Sequence, residues 1–216
     1  MMIGFLKKDV YALISLYRKN LLLVYALYTV LTFVTDNLFF LYFMIWLMGF
    51  YALSAISLDD GCGWDRYART LPAATGQIVG ARYLVAIGMV LAGAVLALLI
   101  GAASTCFRGG SPAEMAATVP LVSGIALAMI GLLLPAAYKW GVEKARNGFL
   151  ALFLLVFLVP LLMEKGILNG AAMDRAFLWL EAQPPALPAA AALGLGLLAC
   201  AAGFAVSCRI YRGKEF

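Results

Sequence analysis

The chain has 216 residues, of which 65% are apolar and only 12% are charged. A soluble domain of this size cannot bury so large an apolar fraction in one core, so the composition indicates a protein whose solvent is the bilayer. The net charge of +5 does not indicate nucleic-acid binding, because the basic residues are dispersed at the ends of apolar runs. The sequence contains no histidine, so the commonest metal ligand and general base is missing, and no metal site is expected.

Residues 1–20 predict an amphipathic helix that lies at the membrane surface. Apolar residues recur there at spacings of three and four, while Lys7, Lys8 and Arg18 lie elsewhere around the helix. Because charges are interleaved with the apolar residues, a cleavable secretory signal is not expected.

Six apolar runs follow, and runs of about 20 residues can cross about 30 Å of hydrocarbon. Only Asp36 and Asn37 separate the first two runs, and one helix over both would far exceed the bilayer, so they predict a tight hairpin. The runs are residues 21–35, 38–57, 78–101, 119–138, 149–163 and 187–207. The sequence therefore predicts an all-α integral membrane protein with six transmembrane helices in a single domain over residues 1–216.

The positions of the basic residues predict the orientation of these spans. Of the 16 Lys and Arg residues, all but Arg108, Lys165 and Arg175 lie at the two termini, near the 58–77 loop or in the 139–147 loop. The positive-inside rule then places both termini and these two loops in the cytoplasm. The external loop 164–186 is too apolar to be freely solvated, and it predicts a short interfacial helix.

The apolar runs exclude several transport and catalytic mechanisms. No Asp, Glu, Lys or Arg lies centrally within any run, so ion-coupled transport and intramembrane hydrolysis lack the groups they need. The sequence also lacks the phosphate-binding loop motif G-x-x-x-x-G-K-[ST], so ATP-driven work would require another chain.

Small residues in two of the runs predict close approach between helices, either within one bundle or at a dimer seam. They are Gly88, Ala92 and Gly93 in the third run, and Ala192, Gly196, Cys200 and Gly203 in the sixth.

The loop of residues 58–77 combines five charges with aromatic residues. Trp64, Tyr67 and Leu71 recur at helical spacing and predict one apolar face of a short helix, which Pro72 would end. One interpretation is an interfacial helix anchored to lipid headgroups by its aromatic residues. The other is a coupling helix, a rigid element that sits in a groove of a soluble ATPase and passes its movement to the spans.

This loop resembles the first cytoplasmic loop of the small bacterial ABC-2 type permeases, the group that contains the phenol-soluble-modulin exporter permeases. In that family an acidic residue precedes a Trp, a Leu-Pro follows, and a basic and aromatic pair opens the third span. The matching residues here are Asp59, Asp60, Trp64, Asp65, Arg66, Tyr67, Thr70, Leu71, Pro72, Gln77, Ile78, Val79, Arg82 and Tyr83. The chain departs from the pattern at 73–76, and the pair Gly61 and Gly63 would loosen the start of the short helix.

The resemblance implies the membrane half of an ABC exporter in a bacterial cell membrane. Two permease chains, identical or related, would combine with two P-loop ATPase chains that bind ATP and Mg, and this chain would carry no cofactor and no catalytic residue. Membrane lipid would be the other partner, and an amphipathic or apolar cargo would be moved by alternating access. The resemblance implies ATPase-coupling roles for Asp59, Asp60, Trp64, Asp65, Arg66, Tyr67, Arg69, Leu71 and Pro72.

Two alternatives come from other functional classes. A substrate-capture subunit of an energy-coupling-factor importer has a similar length and span number, but it docks through small residues on early helices. The first run has large residues and no small-residue seam except Ala26. A membrane-embedded enzyme is disfavoured because the sequence shows no credible catalytic constellation.

Overall fold

The computed structural model describes residues 2–35, 37–107, 113–151, 154 and 183–213, and within them the regular secondary structure is helical. The helices are α1 (Met2–Thr35), α2 (Phe39–Cys62), α3 (Trp64–Thr70), α4 (Thr75–Phe107), α5 (Ala113–Trp140) and α6 (Ala186–Gly213). Residues 142–151 are also helical. Among the described residues, every named helix except α3 is long and apolar enough to span a membrane, which confirms the all-α membrane class.

The first two spans form the expected hairpin. Helix α1 ends at Thr35 and α2 begins at Phe39. The Asn37 side-chain Oδ1 accepts a hydrogen bond from the backbone N–H of Phe39 at 2.9 Å. This bond satisfies one of the backbone donors that the first turn of α2 would otherwise leave unpaired.

Helix α1 does not divide into a separate surface helix and a span. It is continuous over 34 residues, which at 1.5 Å per residue extends about 50 Å, compared with the roughly 30 Å of a bilayer core. The helix is therefore long enough to cross the membrane and to project beyond it. An interfacial position for residues 1–20 stays a prediction.

A single glycine separates α2 from α3. Gly63 has a φ of 66°, in the left-handed region, and its N–H caps α2 by donating to the carbonyl oxygen of Asp59. Residues with a Cβ adopt this conformation only at a cost, so glycine suits the break. Helix α3 begins at once with Trp64 and ends before Leu71, whose extended backbone is the conformation favoured before Pro72.

Helices α5 and α6 pack side by side through what we call the glycine seam, which consists of Gly124, Gly131, Gly196 and Gly203. A Cβ built on Gly131 would lie 2.5 Å from the carbonyl carbon of Ala199, and Cβ atoms on the other three would also overlap backbone atoms of the facing helix. The Cys200 thiol donates a hydrogen bond across the seam to the Leu127 carbonyl at 3.1 Å. The small residues predicted in the sixth run therefore serve packing within this bundle.

The two helices of the seam run in the same direction. Gly131 faces Ala199, and further along the Tyr138 and Tyr211 rings contact each other with centroids 5.7 Å apart. The fifth predicted run, 149–163, which would pass back between them, and the external loop 164–186 lie mostly outside the described residues.

Contacts at both ends of the bundle agree with the predicted alternation of the spans. At one end the start of α4 meets the end of α6, where the Tyr83 and Ser207 hydroxyls are 2.9 Å apart. At the other end the Phe33 ring of α1 lies near the Phe107 ring of α4, with centroids 6.5 Å apart. The helix ends that are predicted to share one side of the membrane thus contact each other at both ends of the bundle. A cytoplasmic location for that end stays a prediction.

Candidate functional site

The residues with predicted coupling roles lie where α2, α3 and α4 meet. Asp59 and Asp60 are in the last turn of α2, residues 64–70 form α3, and Leu71 and Pro72 follow it. Asp59 is buried, whereas Asp60 is exposed. The backbones of Asp65, Arg66 and Arg69 belong to α3, but their side chains lie outside what the structure describes.

The buried face of α3 differs from the predicted face by one residue. Trp64 and Leu71 pack partly buried against the core, as expected. Ala68 is completely buried, whereas Tyr67 is 56% exposed and contacts the Trp64 ring at its side, with centroids 5.2 Å apart. Helix α3 is therefore seated by Trp64, Ala68 and Leu71, and Tyr67 is accessible from outside the chain.

Asp59 belongs to a group of four charged residues that we call the ionic cluster, together with Lys8, Asp9 and Arg82. The Lys8 Nζ donates to both carboxylate oxygens of Asp59, at 2.8 and 2.6 Å. It also lies 3.0 Å from Asp9 Oδ1, and Arg82 Nε lies 3.2 Å from Asp9 Oδ2. The Arg82 guanidinium donates to Asp59 as well. The cluster thus joins α1, α2 and α4.

Burial makes these charges depend on one another. Asp9, Asp59 and Arg82 are 2%, 6% and 5% exposed. A charge removed from water is costly unless opposite charges and hydrogen bonds replace its hydration, and here two cations and two carboxylates balance. Loss of one member would leave a buried charge insufficiently compensated, which typically costs about 3–5 kcal/mol. The cluster therefore favours one relative placement of the three helices.

The ionic cluster is also in contact with α3. The Lys8 ammonium lies 4.4 Å from the centroid of the Trp64 ring, a cation–π geometry. Asp59 contributes in a second way, because its carbonyl oxygen accepts the N–H of Gly63 at the break before α3. A displacement of α3 would consequently disturb contacts made by both α1 and α2.

The start of α4 connects this region to the rest of the bundle. Arg82 belongs to the ionic cluster, and the next residue, Tyr83, shares a hydrogen bond with Ser207 of α6 and packs against the Phe204 ring at 5.7 Å. These two neighbouring side chains thus bind different helices, Arg82 binding α1 and α2 and Tyr83 binding α6. Arg82 and Tyr83 are the basic and aromatic pair of the sequence motif, and in the structure both side chains contact other helices.

Sequence reasoning found Asp59, Trp64 and Arg82 but missed Lys8 and Asp9. Lys8 was placed on the polar side of an amphipathic helix, and Asp9 was not singled out. One signal was available, because Asp9 is the one acidic residue in the first 35 positions and is spaced four residues from both Phe5 and Leu13. Those two residues are buried beside it on the same face of α1.

An apolar groove lies between α1, α2 and α4. It contains two adjoining cavities of about 330 and 490 Å³, and Ile14, Leu21 and Met48 line both. Among the described residues that line the groove, Arg18 is the one that carries a charge. Within the described part of the chain, no group of acidic, cysteine or histidine side chains could hold a metal ion.

Comparison with known proteins gives one family. The model of the ABC-2 family transporter proteins matches residues 4–212, and this range contains nearly all of α1 to α6, the whole ionic cluster and the 58–77 loop. Searches of curated proteins and of solved structures return no match. The family consists of transporter permeases rather than enzymes, implies no cofactor on this chain, and works with ABC ATPases. The chain is therefore a multi-pass membrane permease that belongs to the ABC-2 transporter family.

Proposed function

We propose that this permease forms the membrane part of a bacterial ABC-2 exporter and moves an amphipathic or apolar substrate, such as a peptide or a lipid-like molecule, by alternating access. Two permease chains would pair with two ATPase chains that bind ATP and Mg. The resemblance to the exporters of phenol-soluble modulins supports the direction and the class of cargo. The six apolar runs without central charges fit such a cargo better than an ion.

The observation that carries the proposal is the junction of α3 with the ionic cluster. Force applied to α3 reaches α2 through Gly63, α1 through the contact between Trp64 and Lys8, and α4 through Arg82. An ATPase that seats α3 in a surface groove would therefore move three helices together. Tyr67, exposed on α3, is placed to contact such a partner.

An interfacial anchor remains the alternative role for the same short helix. An anchor would use Trp64 and Tyr67 at the level of the headgroups. The contacts of Trp64 favour coupling, because this ring is partly buried against the core and covers the Lys8 ammonium. Tyr67 fits either role, so the two interpretations differ in the function of the charged residues Asp65, Arg66 and Arg69.

The proposed function predicts that ATP hydrolysis belongs to a separate chain. The permease purified alone should not hydrolyse ATP, whereas the complex purified after coexpression with its ABC ATPase should. The control is the same complex with the Lys of the ATPase phosphate-binding loop replaced. ATP hydrolysis by the isolated permease that persists through further purification would contradict the proposal.

The proposed orientation places both termini and the ionic cluster in the cytoplasm. Single cysteines introduced into a cysteine-free variant can be labelled from outside intact cells with a reagent that does not cross the membrane. Labelling is expected at position 108 or 165 but not at position 139 or 214, because basic residues accumulate on the cytoplasmic side. The opposite pattern of labelling would overturn the orientation.

A further inference from the structure

An open cavity of about 650 Å³ lies where α5 and α6 end, and none of its lining residues belongs to the ionic cluster. Its wall is apolar and includes Leu132 on α5 and Val206 on α6, which are 69% and 50% exposed. Its mouth carries the cations Lys139 and Arg209 beside the Trp140 ring. The cavity therefore combines a cationic end with an apolar surface that is open to the surroundings of the bundle.

The two cations have no acidic partner in the described part of the chain. Neither Lys139 nor Arg209 takes part in an ion pair there, and the residues that line the cavity include no Asp or Glu. Glu143, one turn beyond Lys139, lines a different cavity together with Arg146. The Lys139 Nζ lies 5.1 Å from the centroid of the Trp140 ring. An anion at the mouth would meet positive charge from two different helices.

The apolar wall extends the site along the helices. Leu132 precedes Lys139 by seven residues, which corresponds to about 10 Å along α5. A ligand that fills the site must therefore carry an anionic group at one end and a hydrocarbon chain next to it. Phospholipids have this form, and basic pockets between transmembrane helices are known to hold their headgroups.

We propose that this cavity binds an anionic phospholipid from the surrounding leaflet. The headgroup phosphate lies between Lys139 and Arg209, and one acyl chain lies along Leu132 and Val206. Trp140 is placed at the level of the headgroups, where tryptophan is enriched. The site connects the ends of α5 and α6 beyond the glycine seam. The proposal does not depend on the cargo or on the direction of transport.

Basic residues at helix C-termini also complement the helix dipole, and a test must separate that role from lipid binding. The full-length chain in detergent is mixed with phosphatidylglycerol or with phosphatidylcholine, and the bound lipid is counted by native mass spectrometry. We expect selective retention of phosphatidylglycerol. The variant K139Q/R209Q should bind it about 30-fold more weakly, since each cation near an anionic headgroup contributes about a factor of five.

The matched control is K144Q/R146Q, which also removes one lysine and one arginine, but from the adjacent exposed segment. This variant should bind phosphatidylglycerol as the wild-type chain does. Equal binding of both lipids by the wild-type chain, or equal losses in the two double variants, would overturn the proposal.

A second pair of variants tests the acyl-chain surface while keeping the charges. V206W should fill the groove and weaken phosphatidylglycerol binding, whereas V95W, at a similarly exposed position of α4, should leave it unchanged. Glycerol 1-phosphate should compete poorly, because it lacks the acyl chain. Full competition by glycerol 1-phosphate, or unchanged binding in V206W, would show a phosphate site rather than a phospholipid site and would overturn the proposal.

Discussion

The ionic cluster and the glycine seam join helices by opposite means. In the cluster, charged side chains reach between α1, α2 and α4. In the seam, the facing residues are glycines, which have no side-chain carbon, so the backbones of α5 and α6 are in direct contact. Ion pairs can exchange partners when helices shift, whereas a seam between backbones tolerates little movement. We infer that α1, α2 and α4 form the part that responds to α3, and that α5 and α6 form a rigid pair.

Helix α1 has the least buried span of the five long helices in the described part of the chain. Of the most apolar stretch of α1, only 6% is buried, compared with 50% for α2. Three of its four buried residues, Phe5, Asp9 and Leu13, lie in the N-terminal part, and Tyr25 and Tyr28 farther along are only partly buried against the core. A movement of α1 would therefore disturb its N-terminal contacts most, and the ionic cluster is among them.

The largest effect is expected for R82M, which removes the cation that pairs with Asp9 and Asp59. The buried carboxylates would then share Lys8 alone, and the expected destabilisation is about 3–5 kcal/mol. The measurement is thermal unfolding of the purified variant in detergent. R18M, which removes an exposed cation from α1, should change stability little.

A second variant shows whether the loss comes from unpaired charge. R82M/D59L removes a cation and a carboxylate together, so it should regain part of the stability that R82M loses. If R82M unfolds at the wild-type temperature, the ionic cluster does not hold the helices together.

A somewhat smaller effect is expected for G131A in the glycine seam. The new Cβ would meet the Ala199 backbone, so α5 and α6 must separate, at a cost of about 1–3 kcal/mol. G88A is the matched control, because nothing lies within 4 Å of its new Cβ and alanine favours the helix by about 0.5–1 kcal/mol. The two variants should therefore shift the unfolding temperature in opposite directions. Shifts of the same sign and size would contradict direct backbone contact.

The smallest effect is expected for Y83F, which removes the hydrogen bond between α4 and Ser207 but keeps the ring against Phe204. Hydrogen bonds between transmembrane helices contribute about 0.6 kcal/mol on average. We expect Y83F to lower the free energy of unfolding by an amount of that order and Y11F, on the exposed side of α1, to leave it unchanged. This result would show that the hydrogen bond between Tyr83 and Ser207 joins the two regions only weakly. A loss as large as that of R82M would show that the rigid pair and the moving part are one unit.

Several features could be predicted from the sequence because they depend on local composition. Asp36 and Asn37 interrupt two apolar runs and mark the hairpin, and Pro72 marks the end of α3. The small residues of the sixth run were recognised, but their partners Gly124 and Gly131 were not, because sequence spacing does not say which helices face each other.

Other features depended on tertiary contacts. The continuity of α1 had one sequence signal, since residues 5–35 contain neither glycine nor proline to break the helix. The inward face of α3 could not be chosen, because Tyr67 and Ala68 both lie near the face of Trp64 at helical spacing. The ionic cluster brings residues 8 and 9 to residues 59 and 82, and no local pattern encodes such a pairing.

The central claim is that α3 passes movement between an ATPase and the spans, and charge reversal on α3 tests it most directly. The R66E and R69E variants should insert into the membrane normally, but less ATPase should co-purify with them, because a reversed charge at an interface weakens association. K144E is the control for reversed charge on the same predicted side, and W64A tests the seating of α3. We expect normal expression and reduced recovery of the ATPase for both reversals, and normal recovery of the ATPase for K144E. The contradicting result is that R66E and R69E co-purify with the ATPase, and support its activity and export, at wild-type levels, while W64A alone loses export. In that case α3 is an anchor and not a coupling helix.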